Sequence, residues 1–147
     1  MVTMAQEFKR IIAPVDGSNE AKKAAKKAIF LAKQMKVEVV ALYVVDKTFL
    51  ARFPAPDDLM SFNWDKFLQK EAFDVLDDIE EMGNKEGVKV RKEFKEGIPD
   101  DEIIKLAGKK DLIVMGGKGK TALNRIFLGS VSEKVLHHAA SSVLIIK

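Results

Sequence analysis

The chain has 147 residues, of which 47% are apolar and 32% are charged. This length and balance are typical of one folded domain with a sizeable core, and they exclude an intrinsically disordered chain. The 25 basic and 22 acidic residues nearly cancel, to a net charge of +3. Because only four of the basic residues are arginines, the composition argues against sequence-specific binding of nucleic acid.

The sequence contains no cysteine, which excludes disulfide scaffolds, zinc ribbons and thiol nucleophiles. Its longest apolar run, residues 39–45, is too short to cross a bilayer. The first nine residues lack the apolar core of a signal peptide. We therefore expect a cytoplasmic protein without a membrane segment.

Apolar periodicity predicts strands and helices that alternate along the chain. The predicted strands are residues 8–15, 37–45, 88–94, 111–115 and 143–146. The predicted helices are residues 18–35, 64–82, 100–106 and 130–138. This alternation indicates a single doubly wound α/β domain over residues 1–147, with a parallel sheet of strand order 3-2-1-4-5 and helices on both faces.

Local signals refine these elements. Ser18 is a plausible N-cap of the first helix, and Ser130 and Glu133 have the spacing of a capping box at the last one. Residues 46–63 contain two prolines and predict a long loop that is mobile or lies against a partner. The lysines of the first helix are expected to form a solvated face rather than a nucleic-acid patch.

Three aromatic residues follow the predicted loop, at Trp64, Phe67 and Phe73. They lie within a segment of helical periodicity, so we expect them in the core rather than in a platform that stacks bases.

Ligands of open parallel sheets bind beyond the carboxyl ends of the strands, where the strand order reverses. In a five-stranded sheet of this order, the first and fourth strands are neighbours at that point. Residues 14–16 follow the first strand and residues 115–119 follow the fourth. The pattern therefore predicts that these two segments meet at a binding site.

The glycine-rich segment after the fourth strand fails two phosphate-binding templates. A Walker A loop would need glycine at position 114, which is Val114. A dinucleotide fingerprint over Gly117, Gly119 and Ala122 would follow the wrong strand, too near the end of the chain. Plain strand-to-loop turns at Gly116 and Gly119 remain an alternative.

A third pattern fits better. Gly116 and Gly119 are followed, after nine residues, by Gly129 and Ser130. This spacing resembles the nucleotide-binding signature of the universal stress protein family, in its ATP-binding branch. Further segments resemble that family along nearly the whole chain, at residues 13–18, 44–46, 97–99 and 141–146.

The resemblance implies an adenine-nucleotide α-hydrolase-like fold and an ATP site, with Mg²⁺ or Mn²⁺ bridging the phosphates. At the adenine and ribose end it implies Pro14, Val15, Asp16, Val44, Met115 and Gly116. At the phosphates it implies Lys118, Gly119, Gly129, Ser130, Val131 and Ser132. The residues support this, because glycines let a backbone approach a phosphate and a helix N-terminus attracts anions. No carboxylate cluster indicates a preformed metal site.

Two positions depart from the family pattern. Gly117 stands where the family often has serine or threonine, and Lys118 stands where histidine or arginine is frequent. Both changes keep a flexible backbone and a positive charge. Asp16 also has a simpler interpretation, as a turn residue after the strand.

These observations favour an ATP-binding stress-response protein that acts as a nucleotide-dependent switch with slow or no hydrolysis. A phosphoryl-transfer enzyme or ATPase is the alternative from another class, although no Walker B acid or arginine finger is evident. A third hypothesis is an interaction module that binds no nucleotide. The last strand, from Val143 to Ile146, is apolar and predicted at a sheet edge, and the resemblance implies a homodimer through it.

Overall fold

The computed structural model describes residues 7–46, 48, 63–118 and 128–147. The strands are β1 (Arg10–Val15), β2 (Glu38–Val45), β3 (Val90–Glu96), β4 (Asp111–Gly116) and β5 (Ser142–Ile146). The helices are α1 (Asn19–Met35), α2 (Trp64–Lys85), α3 (Pro99–Leu106) and α4 (Ser130–His138). Most of the loop predicted at residues 46–63 lies outside the described residues, so that expectation stays a prediction.

All five strands pair in parallel, in the order β3-β2-β1-β4-β5. The predicted fold and strand order are thus confirmed. β1 and β4 are neighbours at the centre, and β5 lies at one edge. The strand order reverses between β1 and β4, which puts the carboxyl ends of these two strands where a ligand of such a sheet would bind.

The central strands are buried on both faces, because they send alternate side chains to opposite sides and helices cover each side. Ile11 and Ala13 of β1 belong to a core cluster with α1 and α2. Ile12, between them, belongs to a second cluster that includes Ile103 of α3 and Val135 of α4. This double burial explains why the central strands appear in the sequence as continuous apolar runs.

Helix α1 begins as predicted. The Ser18 hydroxyl accepts a hydrogen bond from the backbone N–H of Ala21 at 3.1 Å, so Ser18 is the N-cap. The buried face of the helix is mainly alanine, which brings its backbone close to the sheet: Ala21, Ala24, Ala25, Ala28, Ile29 and Ala32.

Helix α2 begins at Trp64, as predicted, but ends three residues beyond the predicted Met82. It continues through Gly83 to Lys85, and Gly83 lets the helix pack against Val90, with which a side chain at this position would collide. The expectation that the aromatic residues lie in the core was wrong. Trp64, Phe67 and Phe73 are 38%, 47% and 37% exposed, since they lie off the stripe that the helix buries.

The ring of Phe73 contacts an aromatic residue of strand β3. It stacks on Phe94 of β3, with ring centroids 5.6 Å apart. None of the described helices has the length and apolar character that a membrane crossing requires.

Candidate functional site

A cavity of about 530 Å³ opens at the carboxyl ends of β1, β2 and β4. The first turns of α1, α3 and α4 contribute to its wall. Every residue predicted for the site lies on this wall except Gly119, which is outside the described residues: Pro14, Val15, Asp16, Val44, Met115, Gly116, Lys118, Gly129, Ser130, Val131 and Ser132. The structure thus brings the two predicted segments together at one cavity.

The wall also includes residues that were not predicted: Ala21, Leu42, Asp46, Pro99 and Ile103. Asp46 follows β2 as Asp16 follows β1, so the rule that predicted Asp16 could have found it. Leu42 and Ile103 are buried core residues. Nothing in a linear sequence separates a core side chain that borders a cavity from one that does not.

The turn after β1 is held by Asp16. Its Oδ1 accepts a hydrogen bond from the backbone N–H of Ser18 at 2.9 Å, which is an Asx turn. Gly17 between them has φ of +84°, a conformation that favours glycine. The turn engages one carboxylate oxygen of Asp16, which is half-buried on the cavity wall. A turn role and a ligand role are therefore compatible.

The end of β4 lies unusually close to α1. A Cβ on Gly116 would be 3.1 Å from the carbonyl oxygen of Glu20, in the first turn of that helix. Glycine at this position therefore allows the strand and the helix to approach each other beside the cavity.

Helix α4 begins at Ser130, as predicted, but the predicted capping box is wrong. Its N-cap is Gly129, and no side chain in the described part of the chain caps the helix end. Ser130 is already the first helical residue, so its hydroxyl is one position too late to act as the cap. The N–H groups of the first turn consequently lack the side-chain partner that Ser18 gives to α1, and this end of the helix borders the cavity.

Two hydrogen bonds fasten this first turn of α4 to the end of β4. The hydroxyl of Ser132 donates to the carbonyl oxygen of Gly116 at 2.8 Å, and Ser132 is only 3% exposed. The backbone N–H of Gly129 donates to the carbonyl oxygen of Gly117 at 2.6 Å. The hydroxyl proton of Ser132 is thus already engaged within the protein.

The charges on the wall are few. Among the described residues that line the cavity, Lys118 has the one cationic side chain, while Asp16 and Asp46 are carboxylates. In the described part of the chain, no three His, Asp or Glu side chains converge as a metal site would require.

Comparisons with known proteins agree on the family. Residues 7–147 match the model of the Universal stress protein family. Universal stress protein MJ0531 of Methanocaldococcus jannaschii is 43% identical over 144 residues, covering 95% of this chain and 82% of its own length. The solved structure of MJ0577, from the same organism, has a TM-score of 0.80 at 32% identity and covers 96% of each chain.

Two further solved universal stress proteins carry nucleotides. One was solved in complex with cAMP, and one from Archaeoglobus fulgidus was solved in complex with dAMP. Their TM-scores are 0.71 and 0.65, with 95% or more of this chain covered. At 20% identity, these two likenesses show the shared fold alone. The family match and the close relative are decisive, and the chain belongs to the universal stress protein family.

Proposed function

We propose that this chain binds ATP in the cavity at the carboxyl ends of β1, β2 and β4, and that bound ATP acts as the ligand of a molecular switch. One observation carries the proposal: the cavity combines an apolar wall with a helix N-terminus that no side chain of the described residues caps. An adenine nucleotide has the matching pair of ends, a flat apolar base and a chain of phosphates.

The phosphates belong at the first turn of α4. The free N–H groups and the dipole of a helix N-terminus attract anions. Lys118 lies on the same wall and adds a positive charge. Ser130 is exposed, and its hydroxyl is not needed as a cap, so it is free to donate to a phosphate oxygen.

The adenine and ribose belong at the ends of β1 and β2. Val15 and Val44 provide apolar wall there, and Leu42 and Ile103 extend it. Asp16 can accept a hydrogen bond from a ribose hydroxyl while it keeps the turn after β1. A volume of about 530 Å³ is within the range of small-molecule sites.

A Mg²⁺ or Mn²⁺ ion fits this site as a companion of the phosphates. Without a convergent set of three ligand side chains among the described residues, the protein would hold the ion mainly through ATP. The ion would neutralise phosphate charge that a single described lysine cannot balance.

The complexes of two family members with cAMP and dAMP support a nucleotide ligand in general. The choice of ATP for this chain depends on the glycine and serine spacing and on the uncapped helix.

The direct experiment is mass spectrometry of small molecules released when the purified protein is denatured. It is paired with a thermal melt of the nucleotide-free protein with ATP and Mg²⁺. We expect ATP or ADP in the released fraction and a higher melting temperature with ATP, because a ligand that binds only the folded state stabilises it. Absence of nucleotide together with an unchanged melt would contradict the proposal.

We further propose a homodimer through β5. β5 is an edge strand, and Leu144 on it is 38% exposed. An exposed apolar edge invites pairing with a second strand, and pairing with the same strand of another copy gives a two-fold interface.

A further inference from the structure

Ser132 is a buried polar residue on the cavity wall whose hydroxyl does not need a ligand. It is 3% exposed and donates to the carbonyl oxygen of Gly116 at 2.8 Å. Gly116 is the last residue of β4, and Ser132 is in the first turn of α4. The hydrogen bond therefore joins the two elements that we propose bind the ribose and the phosphates.

We infer that Ser132 is a positioning residue for the phosphates of the nucleotide, acting through this hydrogen bond rather than by contact of its hydroxyl with the ligand. The inference rests on the proposed function. Hydrogen-bond donors bind an anion well only when they are fixed in advance at the right distance. The donors here are the backbone N–H groups of the first turn of α4, and Ser132 fixes that turn on β4.

The hydrogen bond matters because α4 is short and, in its first turn, the apolar side chain of Val131 is only partly buried against the core. The helix has nine residues, and Val135 is its one fully buried apolar side chain. Val135 is more than a turn away from the N-cap. Near the cavity, two hydrogen bonds connect this end of α4 to the end of β4. They come from the Ser132 hydroxyl and from the N–H of Gly129, which donates to Gly117 at 2.6 Å.

The test compares Ser132→Ala, which removes the hydroxyl, with Ser132→Thr, which keeps it. Binding of ATP with Mg²⁺ is measured by isothermal titration calorimetry. We expect Ser132→Ala to weaken ATP binding about tenfold, by analogy with the loss of an outer-shell partner at a metal site. Ser132→Thr is expected to retain most of the wild-type affinity.

A third variant separates positioning from general loss of stability. Asp111→Ala removes a buried ion-pair partner at the amino end of β4, away from the cavity. We expect it to lower the melting temperature at least as much as Ser132→Ala while leaving ATP affinity close to wild type. If Asp111→Ala weakens binding equally, Ser132 acts through stability and the inference is overturned.

Two other results would overturn it. Ser132→Ala could bind ATP as well as the wild type, or Ser132→Thr could lose as much affinity as Ser132→Ala, which would implicate side-chain size. Hydrogen exchange without nucleotide provides a test that is independent of ATP. The N–H groups of Gly129 and Glu133, which donate to the carbonyl oxygens of Gly117 and Gly129, should exchange faster in Ser132→Ala than in Ser132→Thr, and equal rates would reject the positioning role. If the wild type does not bind ATP, the proposed function is wrong, and the hydrogen exchange still tests the positioning role of Ser132 separately.

Discussion

Arg10 and Asp111 form an ion pair that joins the amino ends of β1 and β4. The Nε of Arg10 is 3.0 Å from Oδ1 of Asp111, and its Nη2 is 3.2 Å from Oδ2. Asp111 is 5% exposed and also accepts a hydrogen bond from the N–H of Gly108 at 2.7 Å. The two central strands are thus clamped at the end opposite to the cavity.

Asp111→Ala should therefore reduce stability without changing the site. It leaves Nε of Arg10 and the N–H of Gly108 without their acceptor, while Nη2 of Arg10 still donates to the carbonyl oxygen of Leu106, so we expect a loss of about 2 kcal/mol in the free energy of unfolding. Urea denaturation measures it. Lys33→Gln is the matched control, because it breaks an ion pair of the same 3.0 Å length in which both side chains are 52% exposed. Such a pair contributes less than about 1 kcal/mol, so equal losses in the two variants would contradict the argument.

Gly116→Ala should weaken ATP binding, because the added Cβ would lie 3.1 Å from the carbonyl oxygen of Glu20 and push β4 and α1 apart. Gly108→Ala is the control, since its Cβ would meet only Oδ2 of Asp111, at an ordinary 3.7 Å. Calorimetric titration with ATP and Mg²⁺ compares the two variants. Wild-type affinity in Gly116→Ala would show that the close approach does not shape the site.

Gly129→Val should abolish the thermal shift with ATP while the fold is retained. The N-cap has extended backbone angles, φ −67° and ψ 160°, which valine tolerates. Its N–H can still donate to Gly117, but a branched side chain would stand at the helix end that we propose binds phosphate. Circular dichroism checks the fold. A thermal shift that persists in Gly129→Val would show that the phosphates do not bind at this helix end.

Lys118→Gln should weaken ATP binding and flatten its dependence on salt, because it removes the positive charge that the described cavity wall provides. Lys109→Gln, an exposed change outside the cavity wall, is the control for net charge. Titrations at low and high salt give the slope of ATP affinity against salt concentration for each variant. Identical slopes in the two variants would place Lys118 away from the phosphates.

Leu144→Glu should convert the proposed homodimer into a monomer, because it puts a charge on the exposed side of the edge strand β5. Phe30→Glu is the control, since Phe30 is 57% exposed on α1, away from that edge. Light scattering at tens of micromolar measures the mass. A monomeric wild type would refute the dimer whatever the nucleotide result.

Much of the fold could be predicted because β1, β2 and β4 are buried on both faces, which leaves continuous apolar runs that periodicity detects. Other features escape local patterns. Gly83 looks like a glycine that ends a helix, yet it lies inside α2, where the missing side chain makes room for Val90. Asp111 and Arg10 are 101 positions apart, so no local spacing could pair them.

The candidate site, too, could be predicted from the sequence only in part. Spacing predicted the segments that meet at the cavity, since strand order decides which strand ends are neighbours. It located the start of α4 but chose Ser130 as the cap where the structure has Gly129. A one-residue shift decides whether a serine hydroxyl closes the helix or is left for a ligand, and that depends on backbone angles.

Gly117 joins the cavity wall to the edge of the sheet. Its N–H donates to the carbonyl oxygen of Ile146 at 3.3 Å, and its own carbonyl accepts from Gly129 at 2.6 Å. A nucleotide that shifts the first turn of α4 would thus act on β5, where we propose that two copies meet. Thermodynamic linkage is reciprocal, so any factor by which ATP changes the dimer's dissociation constant must equal the factor by which association changes affinity for ATP. Apparent nucleotide affinity would then vary with the concentration of the protein itself.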